Sequence, residues 1–248
     1  MNEKYHFFML CVFCFAISLN TNAQQINTDR PDQTESTLTI PRGSVQIEAG
    51  VLFQTDNLNA IDSHDNLLPT ILTRIGFGDN FELRIVNQIE QRKAFGISDL
   101  EIGAKINFVR SESSWNIAFL SHLVIPTGTS QFSNHKLGSI NKIAISNNIN
   151  NYIDVGANIG YNYLGKNNGD LTYSVSFAFK INNKLGFYIE PFGEIENLKT
   201  HFSNLDGGFT YLIKSNIQAD ISYGNALNYN SHYLSVGISW LFLKDKKE

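Results

Sequence analysis

The sequence predicts an all-β fold: a single antiparallel transmembrane β-barrel of about 12 strands, preceded by an irregular N-terminal segment. Three observations carry this reading. Apolar and polar residues alternate along most of the chain after Ser44. Connections between the alternating runs are short and long by turns. The chain also opens on what reads as an export signal.

Residues 1–23 have the composition of a signal peptide. Lys4 supplies the positive start, "FFMLCVFCFAISL" is the apolar stretch, and Ala23 is the small residue before a cut at Gln24. The apolar run is short for a spanning helix. Cys11 and Cys14 both fall inside it, so the mature chain has no thiol. That excludes a disulfide framework, a cysteine nucleophile and a cysteine-based zinc site. The expected localisation is the cell outer membrane, after Sec-dependent export.

Residues 24–43 form a polar segment containing "INTDRPDQTES". Asp29, Arg30, Asp32 and Glu35 are costly in lipid, and Pro31 and Pro41 oppose regular pairing. The segment is expected to tuck into the periplasmic mouth of the barrel as a partial plug. Arg30 would meet a lumen acid such as Glu48 or Glu101, and Asp29, Asp32 or Glu35 would meet Arg84 or Lys105. A disordered periplasmic leader is the alternative.

Residues 44–243 are assigned to the barrel and 244–248 to a charged tail. Twelve alternating runs are expected at 44–54, 66–77, 80–90, 97–109, 114–126, 137–147, 152–164, 170–181, 184–195, 203–213, 216–225 and 232–242. In the last, Leu234, Val236, Ile238, Trp240 and Phe242 share one face, and Ser235, Gly237 and Ser239 share the other. The sixth, "LGSINKIAISN", fits neither phase cleanly. Short links fall near 78–79, 110–113, 147–151, 182–183 and 214–215. Longer ones fall at 55–65, 91–96, 127–136, 165–169, 196–202 and 226–231. Short turns on one rim and long loops on the other are the outer-membrane pattern, and they put both ends of the barrel on the periplasmic side.

The apolar face carries aromatics near strand ends, including Trp115, Tyr161, Tyr223, Trp240 and Phe242. The opposite face carries Glu48, Arg74, Glu82, Arg84, Asp99, Glu101, Lys105, Asp154, Lys180, Glu190, Glu194, Asp206 and Asp220. Of these, Glu48, Arg74, Glu82, Arg84, Glu101, Lys105, Asp154, Glu190 and Asp220 are the expected lumen-lining and selectivity residues. A soluble β-sandwich would show the same alternation, with its apolar face as the core. The net charge of −4 leaves no basic excess to attract nucleic acid. No metal or cofactor motif stands out. The expected partners are outer-membrane lipid and a small-molecule solute.

At "SVGISWLF", Ser235, Gly237, Trp240 and Phe242 have the spacing of a final strand read by the barrel-assembly machinery, the expected partner during biogenesis. The charged "LKDKKE" that follows departs from that pattern. "TDRPDQTEST", the Pro-x-Gly at 41–43 and "VQIEAG" together resemble the opening of the phenol-degradation (MetA-pathway) transporter family of outer-membrane proteins. "GISDLEIGAKINF", "LVIPTG", "IEPFGE" and "IQADISYG" extend the resemblance over nearly the whole mature chain. The resemblance implies a barrel with a transport role for small molecules. Two other readings remain open. One is a phospholipase-like hydrolase using His201 and Ser203, two residues apart on a lipid-facing strand. The other is a closed structural barrel without transport.

Overall fold

The computed structural model describes residues 26–58, 61–92, 94–108, 115–165 and 168–243. The expected signal peptide, the turn at 110–113 and the tail at 244–248 lie outside the described residues.

Among the described residues there are thirteen strands: β1 (Val45–Leu58), β2 (Ile61–Gly76), β3 (Phe81–Gln91), β4 (Phe95–Ile97), β5 (Leu100–Asn107), β6 (Trp115–Ile125), β7 (Gly138–Asn150), β8 (Ile153–Tyr163), β9 (Asp170–Lys180), β10 (Leu185–Glu196), β11 (Thr200–Lys214), β12 (Ile217–Ala226) and β13 (Ser231–Phe242). Neighbours in sequence pair antiparallel around the sheet, and β1–β13 pairing from Val45↔Phe242 to Asp56↔Ser231 closes it. The result is an antiparallel barrel of twelve long strands with β4 as a short extra strand on the end of β3. The start of β1 and the end of β13 share one rim.

Four sequence expectations are corrected. The run at 97–109 is interrupted: β4 ends at Ile97 and β5 begins at Leu100, leaving Ser98 and Asp99 between them. Asp99 is therefore a loop anchor. It accepts from the backbone N–H of Gly128 (3.0 Å) and Asn134 (2.8 Å), tying the 126–137 loop to the β4–β5 corner. Within 55–65 the strands run on where a loop is expected, since β1 and β2 stay paired out to Leu58↔Ile61. The connection at 196–202 shrinks to 197–199, where Asn197 and Leu198 take φ of 53° and 56°.

In the sixth run the phase is mixed for a visible reason. Register pairs Asn141 with Tyr161 and Ser139 with Tyr163, so two polar side chains face outward. Ile140 and Ala144 then face inward, and a bulge between Asn148 and Asn150 breaks the register. Elsewhere the alternation holds. Leu234, Val236, Ile238, Trp240 and Phe242 are all at least 39% exposed, whereas Ser235 and Ser239 are buried. Phe179, Phe187 and Phe209 form a contiguous outward band, and Trp240 stacks on Phe242 at 4.5 Å. This inverted distribution, apolar outside and charged inside, suits a barrel whose solvent is lipid.

Candidate functional site

The interior of the barrel is not empty. Residues 26–43 enter at the rim of the short turns, rise to mid-height and return to begin β1. Ile26 N–H bonds the Ser215 carbonyl (2.8 Å), and Ile26 packs with Ile40, Leu241 and Leu212. The returning arm is fixed by Gly43 N–H on the Gly76 carbonyl (2.6 Å). Ser36 N–H on Asp29 Oδ1 (2.8 Å) crosses between the two arms.

This segment has no regular secondary structure, so its backbone groups need partners from elsewhere. Lumen side chains supply them. Glu48 Oε2 accepts from the N–H groups of Asp29 (2.9 Å) and Arg30 (3.1 Å). Glu190 accepts from the N–H groups of Gln33 (2.6 Å) and Thr34 (2.8 Å) and from the Thr34 hydroxyl. Glu82 accepts from Ile40 N–H (2.9 Å), and Asn158 from Glu35 N–H (2.6 Å). Arg74 donates to the carbonyls of Asn27 and Leu38, Lys105 to that of Ser36, and Asn107 to that of Thr37. Polar lumen residues and an irregular segment satisfy each other.

The lumen has two charged walls. On β2, β3 and β5 stand Arg74, Arg84 and Lys105, each at most 2% exposed. Asp29 lies in their midst: Lys105 Nζ reaches both its oxygens (3.0 and 2.8 Å), Arg84 Nη1 lies at 2.5 Å and Arg74 Nη1 at 3.3 Å. Glu35 takes Arg84 Nη2 at 2.8 Å and lies 3.7 Å from both Lys105 and Lys142. Glu82 bridges Arg74 and Arg84, and Glu48 pairs with Arg74. Arg84 Nε also donates to His122 Nε2 (3.2 Å), which leaves the Nδ1 proton of a neutral ring for Glu101 (2.9 Å).

The opposite wall, on β10 to β13, is acidic. Arg30 faces it, donating to Asp220 (3.1 Å) and Ser235 (2.9 Å). The expected ionic partners of Arg30, Glu48 and Glu101, are thus replaced by Asp220. Asp32 departs further from expectation: it sits beside Ser176, Glu190 and Asp206 instead of Arg84 or Lys105. Asp206 in turn accepts from the hydroxyls of Tyr188 and Tyr233. Asp154 is held by Asn148 on the inner side of β8.

Two inward glycines have a role that charge patterns did not reveal. Gly50 and Gly237 are cross-strand partners at the closing seam, and a Cβ on either would run into the Arg30 guanidinium. The guanidinium lies flat against bare backbone there. A Cβ on Gly76 would likewise strike the Pro41 carbonyl. Glycine at an inward position of a strand is the sequence signal for such close approach.

The segment divides the lumen. An outer cavity of about 310 Å³ is bordered by Gln33, Lys142, Asn158, Glu194 and Tyr229. An inner one of about 710 Å³ is bordered by Thr28, Arg30, Asp32, Lys184 and Tyr188. Asp32 borders one and Gln33 the other, so the chain at 32–33 lies between them.

His201 and Ser203 face outward on β11. His201 Nε2 is bonded to the Tyr173 hydroxyl (2.6 Å), with the two rings stacked. Among the described residues no hydrogen bond joins Ser203 Oγ to His201. Trp240 and Phe242 also face outward, whereas Ser235 and Gly237 face the lumen and hold Arg30.

Comparison with known proteins places this architecture. The family model described as "Putative MetA-pathway of phenol degradation" matches residues 28–243. No curated protein matches the chain. Among solved structures, the COG4313 outer membrane channel from Pseudomonas putida F1 is similar at a TM-score of 0.67 and 10% identity, covering 91% of this chain and 100% of that one. The KdgM porin, in complex with disordered oligogalacturonate, matches at 0.60 and 13% identity, covering 79% of this chain and 98% of that one. The NanC porin matches at 0.58 and 9% identity, with the same coverage of 79% and 98%. At such identities the likeness is one of fold.

Proposed function

Because the chain belongs to the family described by that model, the "Putative MetA-pathway of phenol degradation" family, we propose that it is an outer-membrane channel for small molecules whose lumen is plugged by residues 26–43. The observation that carries the reading is the way the segment is held. Its backbone is bonded to side chains of the wall, with no sheet or helix of its own to make it a permanent part of the barrel. Such contacts can be exchanged for water one by one. Displacing the segment joins the outer and inner cavities into a hydrated path. Glu48, Arg74, Glu82, Arg84, Glu101, Lys105, Asp154, Glu190 and Asp220 then line it and set its selectivity.

The outward apolar face and its aromatic bands suit outer-membrane lipid as the surrounding solvent. Trp240 and Phe242 remain free on that face to serve as the assembly signal, with Ser235 and Gly237 also anchoring the plug.

A disulfide tests the plug directly. Thr37 Oγ1 lies 2.7 Å from Ser146 Oγ on β7. In a chain starting at Gln24, Thr37→Cys with Ser146→Cys is expected to lower solute flux in reconstituted liposomes when oxidised and to restore it on reduction. Flux unchanged by the oxidised bridge would contradict a mobile plug.

A further inference from the structure

Lys105 is fully buried, and all of its hydrogen bonds run to the N-terminal segment: two to the Asp29 carboxylate and one to the Ser36 carbonyl. Its nearest acid on the barrel wall is Glu82, at 3.9 Å. Arg84 resembles it in part. One of its terminal nitrogens serves Glu35 alone, and the other is shared between Asp29 and Glu82. When the segment leaves, three wall cations face two wall acids, Glu48 and Glu82, around a space shaped to a carboxylate. Lys105 then has no carboxylate within hydrogen-bond distance and Arg84 keeps only Glu82 of its three, so the vacated place carries an excess of positive charge that favours an anion. A guanidinium edge beside an ammonium fits the two oxygens of a carboxylate well.

We infer that Arg74, Arg84 and Lys105 form a binding site for small carboxylate solutes, which Asp29 and Glu35 of the same chain fill in the closed state. The inference rests on the plugged-channel reading and adds a solute class to it. The segment is a tethered competitor. A free carboxylate contends with an effective concentration on the order of millimolar or higher, so opening needs a comparable supply. Uncharged solutes lack this means of displacing the segment.

Thr37 is 1% exposed and reports the segment's departure. In the full mature chain carrying Thr37→Cys, the rate of modification by a water-soluble maleimide is measured in potassium chloride with acetate or acetamide added, at matched ionic strength. Acetate is expected to raise the rate several-fold and saturably, and acetamide to leave it unchanged. Asp29→Asn is expected to lower the acetate concentration needed for half the effect. Lys105→Gln is expected to raise the starting rate and remove the response to acetate. Equal responses to acetate and chloride, or an acetate response that survives Lys105→Gln, would overturn the site. The readout is displacement, so it separates the two claims. An acetate response without solute flux defeats the channel alone, and flux without an acetate response defeats the carboxylate site alone.

Discussion

Arg30 touches four strands at the seam of the barrel: Thr70 on β2, Asp220 on β12, Ser235 on β13, and the glycine pair Gly50 and Gly237. Asp220 is buried, so removing Arg30, its one ion-pair partner among the described residues, leaves a charge without compensation. Arg30→Met is expected to destabilise the folded protein by about 3–5 kcal/mol in urea titrations, and Arg30→Met with Asp220→Leu by markedly less. Equal losses in the single and double variants would contradict the pairing. Gly237→Ala is expected to loosen the same anchor with no change of charge. At this scale the sequence was partly legible. Lone acids in a polar segment and lone bases on a strand face have to meet, and Asp29 and Glu35 do meet Arg84 and Lys105. Alternation tells which face a residue occupies but not its position around the barrel. The Arg30 guanidinium therefore finds Asp220, while Glu48 takes only its backbone N–H, and Asp32 finds Glu190 and Asp206.

The strands were the most legible elements, because two-residue periodicity is a property of the backbone and needs no partner to be read. Their ends were not, since a pairing such as Leu58↔Ile61 depends on the neighbouring strand. On the lipid face, Ile238→Lys is expected to cost about 2–4 kcal/mol near the bilayer midplane. Reconstituted folding titrations would show the loss, and an unchanged midpoint would contradict the assignment of faces. The corner between β4 and β5 was hidden because Asp99 alternates correctly with Glu101, yet it ends one element and anchors another. Burial pushes the Asp99 carboxyl up, but hydrogen bonds from Ser133 and the N–H groups of Asn134 and Gly128 outweigh it, leaving the group below the usual carboxylate range. A depressed folded value means the anchor is fully present above the unfolded pKa of about 3.9 and is lost as pH falls through the folded value. Corrected amide protection of Gly128 and Asn134 is expected to stay level from about pH 5 to 8 and to fall below about pH 4. Asp99→Asn is expected to weaken it at neutral pH. Protection that falls near pH 6 would point to another group.

For the molecule as a whole, the barrel and the segment inside it complete each other. A lumen lined by Arg74, Arg84, Lys105, Glu48, Glu82 and Glu190 has no apolar core, and the only compact apolar cluster joins Ile26 and Ile40 to Leu241 among the described residues. The polar opening of the chain and the charged inner faces of its strands could both be read in the sequence. The plug and the meeting of Asp29 and Glu35 with Arg84 and Lys105 were expected from them, but the seat of Arg30 was not, because it depends on closure at β1–β13, which brings Gly50 beside Gly237. The occluded lumen is tested most directly by single-channel conductance in planar bilayers, comparing the mature chain with one lacking residues 24–42. Low conductance in the former and a large, steady increase in the latter is the expected result. Equal conductance in the two, or none in either, would contradict it.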